Sequence, residues 1–127
     1  MKNLVFLLFL LPFTATSQSL DSYVKFESKT VDLGKVKRGQ KVEGSFVFTN
    51  ISSEIVEIDM VSTCECTEAT WTKGIIKPGE KGRIDFVFDS SQKDKDEKVD
   101  VDVFFTNVDP VNGSQITAFL KYTYSFE

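Results

Sequence analysis

Cys64 and Cys66 are the only thiols in this 127-residue chain, and one residue separates them. They sit in Ser62 to Trp71, Ser-Thr-Cys-Glu-Cys-Thr-Glu-Ala-Thr-Trp, which also holds the single tryptophan. In an extended strand, side chains at i and i+2 share a face. Their Cα atoms then lie about 6.5–7 Å apart, at the limit of disulfide reach, so bonding them needs a bulge or a tight turn. Such a bond is a weak staple: closing three residues removes only about 1.6 kcal/mol of unfolded-state entropy. Three chemistries are open to the pair. It can shape a loop, as a local disulfide or as packed thiols. It can be a reducible redox pair, although the usual two-residue spacer and helix N-terminus are missing. It can bind a soft metal such as Cu(I) or Zn(II). Two sulfurs fall short of the roughly four ligands of a tetrahedral site, so Glu65 and Glu68, or a second chain, would have to complete it. The structural pair is the expectation taken forward, with no metal and no cofactor assigned.

Histidine is absent from the whole chain. That removes Ser-His-Asp and Cys-His nucleophiles and every imidazole metal site. No catalytic residue can be nominated, and the chain reads as a non-enzyme. Asp94, Asp96, Glu97 and Asp100 crowd into one loop, but they lack the glycine and terminal glutamate of an EF-hand, and lysines dilute them; a solvated loop is expected. Lys35, Lys37, Arg38 and Lys41 form a small basic cluster without interleaved aromatics, which reads as a solvated hairpin tip. Trp71, Tyr122 and Tyr124 could make a ligand platform, yet their parity points inward, to packing.

These residues must be positioned by strands. The N-terminus is set apart first. Lys2 precedes an apolar run from Leu4 to Phe13, followed by Ala15 and Ser17 at the −3 and −1 positions of a cleavage site. Residues 1–17 read as a secretory signal peptide cut between Ser17 and Gln18. The run is shorter than the roughly 20 apolar residues a membrane helix needs. Without Lys2 the chain carries 14 basic and 19 acidic side chains, a net charge of −5. That balance disfavours nucleic acid and anionic lipid as partners.

Residues 18–127 form one domain of alternating segments. The expected strands are Tyr23–Ser28, Thr30–Val36, Val42–Thr49, Ile55–Val61, Arg83–Asp89, Lys98–Thr106 and Gln115–Phe126, with short pieces around Cys64–Trp71 and Ile75–Ile76. Val56, Ile58 and Met60 should share the inner face of the fourth, which should form a hairpin or meander step with the third. Lys77-Pro78-Gly79-Glu80 is a strong turn. Twelve phenylalanines and no helix signal fit an all-β protein. Seven to eight strands with turns every eight to twelve residues predict an antiparallel immunoglobulin-like β-sandwich, without the widely spaced cysteines of an antibody domain.

Several short motifs occur in a recognisable order: Phe26, Val31-Asp32-Leu33-Gly34-Lys35-Val36, Gly39, Phe46-Val47-Phe48-Thr49-Asn50, Cys64-Glu65-Cys66-Thr67, Lys77-Pro78-Gly79-Glu80 and Phe86 to Asp89. Over about Phe26 to Asn107 the chain resembles the bacterial "domain of unknown function 1573" family. The resemblance implies an exported β-sandwich akin to the major-sperm-protein, PapD-like and Hydin-type modules, and implies no activity. Where the family commonly has Ser-Cys-Gly-Cys-Thr, this chain has Thr63 and Glu65 in place of Ser and Gly. Glycine would admit a positive φ in the turn, which glutamate tolerates poorly. The expected function is that of an exported module, periplasmic or extracellular, acting on an unknown protein or cell-envelope component. Contact would run through end loops or an exposed strand edge, with the long final strand as the suspected edge. Thiol-based metal or redox handling is the alternative.

Overall fold

The computed structural model describes residues 20–127; the signal segment 1–17 and the Ser17–Gln18 junction lie outside the described residues. Eight strands follow in order: β1 (Val24–Phe26), β2 (Thr30–Val36), β3 (Lys41–Asn50), β4 (Ile58–Ser62), β5 (Thr67–Trp71), β6 (Lys81–Asp89), β7 (Glu97–Val108) and β8 (Gln115–Phe126). They form two four-stranded sheets, ordered β1-β3-β6-β5 and β2-β8-β7-β4.

The alternation of the sequence decides which side chains meet between the sheets. Phe46 and Phe48 of β3, Ile84, Phe86 and Phe88 of β6, Val99, Val101, Val103 and Phe105 of β7, and Ile116, Ala118, Leu120, Tyr122 and Tyr124 of β8 are all buried. Rings join the layers: Phe86 stacks on Tyr122 at 4.5 Å, and Phe48 meets Phe105 edge-on at 5.6 Å. Two glycines make room for these rings. Gly44 lies opposite Phe86 and Gly82 opposite Phe48 in the β3–β6 ladder, and a Cβ on either would collide with the facing ring.

Turn chemistry follows the sequence at Lys77–Glu80. Gly79 takes φ 82°, and the Glu80 N–H donates to the Lys77 carbonyl at 2.9 Å. This turn is tied to Asn50, which is fully buried. The Asn50 amide donates to the carbonyls of Glu54 (2.7 Å) and Ile76 (3.0 Å), and its Oδ1 accepts from Ser52 N–H and Oγ–H. Its backbone bonds the turn on both sides, through Glu80 and Gly79.

Topology departs from expectation in five places. The final strand, β8, is not an edge: it lies between β2 and β7, and the edges are β1, β5, β2 and β4. β3 and β4 are not a hairpin but belong to different sheets; only β5–β6 and β7–β8 are consecutive neighbours in one sheet. Lys37–Gln40 likewise carries the chain from one sheet to the other instead of capping a hairpin. Met60 is exposed, because a register shift between Ile58 and Met60 reverses the parity of β4 and turns Val61 toward the core. The sandwich is antiparallel save for one pair: β2 runs parallel to β8.

Candidate functional site

Thr63 to Cys66 carries the chain from β4 in one sheet to β5 in the other. Thr63 anchors the exit by donating from Oγ1 to the Asp100 carbonyl at 2.9 Å. The Thr67 N–H donates to the Cys64 carbonyl at 3.1 Å, closing a turn, and the Asp89 N–H donates to the Cys66 carbonyl at 2.8 Å. The turn draws the two Cα atoms to 5.2 Å, inside the range a disulfide spans, and the two Sγ atoms are bonded. Among the described residues only glycines have positive φ, so Glu65 fits this turn without left-handed backbone. Glycine at that position is therefore not required for closure.

The two sulfurs differ in surroundings. Cys66 is 3% exposed, whereas Cys64 is only partly buried. Cys64 forms part of the wall of a groove of about 310 Å³ that also holds Lys93, Glu97, Lys98, Asp100 and Asp102. The Cys66 N–H points at Cys64 Sγ, 3.2 Å away. Beneath the pair lies a buried hydroxyl couple, with Thr67 Oγ1 2.5 Å from Tyr122 OH. Thr67 Oγ1 is 3.3 Å from Cys66 Sγ and 3.6 Å from Cys64 Sγ, and Tyr122 OH is 3.8 Å from Cys66 Sγ. Burial drives the Tyr122 phenol up to about 12, against a smaller opposing effect of the Thr67 hydrogen bond. Thr67 and Tyr122 are thus uncharged hydroxyls aimed at sulfur in a low-dielectric site. Sequence reading missed this couple. The available signal was a threonine on the inward parity of Ala69 and Trp71.

The other candidates fall apart spatially. Glu65 is exposed and Glu68 lies on the outer face of β5. Among the described residues no three Cys, Asp or Glu side chains are placed to hold a metal. In the acidic loop, Asp96 accepts from the Phe126 N–H and Glu97 pairs with Lys93 at 2.9 Å, so these two carboxylates face separate partners. Of the basic cluster, Arg38 docks on the protein itself: it donates to the Asp94 carbonyl and lies 4.3 Å from the Phe126 ring centre. Tyr122 and Tyr124 are core residues and offer no platform, while Trp71 is half-buried under the Lys73 ammonium, 3.4 Å from its ring centre.

Two four-stranded sheets, aromatic packing between them and one local cysteine loop define an immunoglobulin-like β-sandwich. The chain belongs to the family described as "Protein of unknown function (DUF1573)", whose profile matches residues 24–119. Solved structures share the fold at low identity. The PapD-like domain 7 of human CEP192 aligns with TM-score 0.65 and 11% identity, covering 84% of this chain and 86% of that one. A protein of unknown function from Porphyromonas gingivalis W83 gives TM-score 0.66 and 16% identity over 91% of this chain and 51% of its own. The Vibrio cholerae VesB protease gives 0.67 and 16% over 85% of this chain. This chain spans 33% of VesB and about half of the P. gingivalis protein. No curated protein sequence matches it.

Proposed function

We propose that this protein is an exported bacterial module, periplasmic or extracellular, that works without catalysis by holding a protein or another cell-envelope component. The observation that carries this reading is an apolar cluster at one end of the sandwich. Ile51 and Ile55 of the β3–β4 connection, Ile75 before β6, and Val108 and Val111 around the β7–β8 turn are each 51–62% exposed. Three loops converge there. Val56 and Ile76 bridge two of them, and Asn107 ties the third by donating to the Ile55 carbonyl at 2.9 Å. Exposed aliphatic side chains gathered at one place mark contact surfaces more often than scattered ones do. Export is supported by the leader pattern of residues 1–17. In an oxidising compartment the Cys64–Cys66 disulfide is the resting state. The chain's net charge of −4 argues against nucleic acid.

The test is capture from envelope extract with the purified chain and with the Ile51→Ser, Ile55→Ser, Ile75→Ser triple variant. We expect a specific protein on the native chain and about tenfold less on the variant, the loss that roughly 1.4 kcal/mol of contact energy produces. Equal recovery on both, or no specific protein on either, sinks the reading.

A further inference from the structure

We propose that Cys64–Cys66 is an exchange site for a dithiol on a partner protein, with Cys64 the attacked sulfur and Cys66 the leaving one. Three observations carry this. Access is one-sided: Cys64 opens onto the groove of about 310 Å³, while Cys66 is 3% exposed. The groove's lysines, Lys93 and Lys98, are outnumbered by Glu97, Asp100 and Asp102, and Lys93 is paired with Glu97, so it is access and not charge that singles out Cys64. The buried sulfur is provided with donors: Thr67 Oγ1 at 3.3 Å and Tyr122 OH at 3.8 Å can turn their protons toward a Cys66 thiolate. Hydrogen bonds to the charged form favour it, and here they oppose the desolvation that burial imposes on a departing Cys66 thiolate. Finally, the ring spans only three residues, so opening it takes little cross-link stabilisation from the fold.

The step balances. A partner thiolate attacks Cys64 Sγ, the Sγ–Sγ bond breaks, and Cys66 departs as a thiolate that takes up a proton. The partner's second thiolate then attacks its own sulfur in the mixed disulfide and releases Cys64, which is protonated in turn. Two electrons and two protons pass from the partner dithiol to this chain, and the partner leaves as a disulfide. The reaction uses one partner dithiol per chain. It does not depend on the loop-end contact proposed above.

The test uses the oxidised full mature chain, reduced with dithiothreitol and freed of it. Alkylation with iodoacetamide at neutral pH, read by peptide mass spectrometry, should modify Cys64 about tenfold faster than Cys66. With oxidised glutathione, the Cys66→Ser chain should accumulate a mixed disulfide at Cys64, and the Cys64→Ser chain should form none at Cys66. Reaction at Cys66 as fast as at Cys64, or a pair that dithiothreitol leaves closed, overturns the proposal. Thr67 acts as a positioning residue. Thr67→Val should move the pH midpoint of ring closure upward by about one unit, since the thiolate loses a donor, and Thr67→Ser should restore it. A midpoint that stays put in Thr67→Val, with the fold intact by circular dichroism, removes Thr67 from the mechanism.

Discussion

At the scale of single residues, two buried polar groups do most to fix local structure. Asn50 satisfies carbonyls from two different loops, and no apolar residue can replace it. Asn50→Ala should cost about 1–3 kcal/mol, since it removes a buried amide bonded at once to the Glu54 and Ile76 carbonyls and to Ser52, leaving the Ile76 carbonyl only the Val56 N–H; urea unfolding measures it. Tyr122 predicts a pH effect. Its phenol ionises near 12 in the folded chain and near 10 when unfolded. Its raised value leaves stability intact below pH 10 and removes it as pH rises from 10 to 12, by roughly 3 kcal/mol in full. Tyr23 and Tyr124 are raised too, chiefly by burial, and add to the same alkaline loss. Unfolding free energies on either side of pH 10, compared with Tyr122→Phe, check the sign: the variant should lose less. Both residues were only half legible in the sequence. Their parity could be read, but a polar residue on an inward position can equally be the end of a strand.

At the scale of elements, alternation revealed the strands because each has one wet and one dry face, and a two-residue period has no rival explanation. β6 shows it cleanly, with Ile84, Phe86 and Phe88 inward. Pairing was not legible in the same way. An inward pattern reports burial on one face and says nothing about how many neighbours a strand has. That is why β8 reads as an edge and lies inside its sheet. β4 misled for a different reason: a bulge inserts one residue and reverses everything after it, so Met60 left the face that its spacing assigned. The glycines of β3 and β6 carry a quantitative expectation. Gly44→Ala or Gly82→Ala should destabilise by about 1–3 kcal/mol by forcing a methyl into the Phe86 or Phe48 ring. Coupling Gly82→Ala with Phe48→Leu should recover part of the loss in the same urea titration, because the smaller side chain frees that space.

At the scale of the whole molecule, the fold class follows from composition and turn spacing, whereas the position of the cysteines within the architecture does not. The spacing of Cys64 and Cys66 left loop-shaping, redox and metal chemistry all open. The structure adds what spacing lacks, a difference between the two sulfurs, created because the β4–β5 crossing tucks one against the core and leaves the other at a groove. The parallel pairing of β2 with β8 has a consequence for how the molecule comes into being. Thr30 waits for Lys121 and Val36 for Phe126, so one of the first strands made is completed by the last. Such distant pairing is slow to form. A chain emerging from a ribosome or threading through a pore has no partner for β2 until its final dozen residues are free. The β2-β8-β7-β4 sheet therefore stays open while the chain is in transit, although β1-β3-β6-β5 needs nothing beyond Asp89, and the sandwich closes only when β8 arrives.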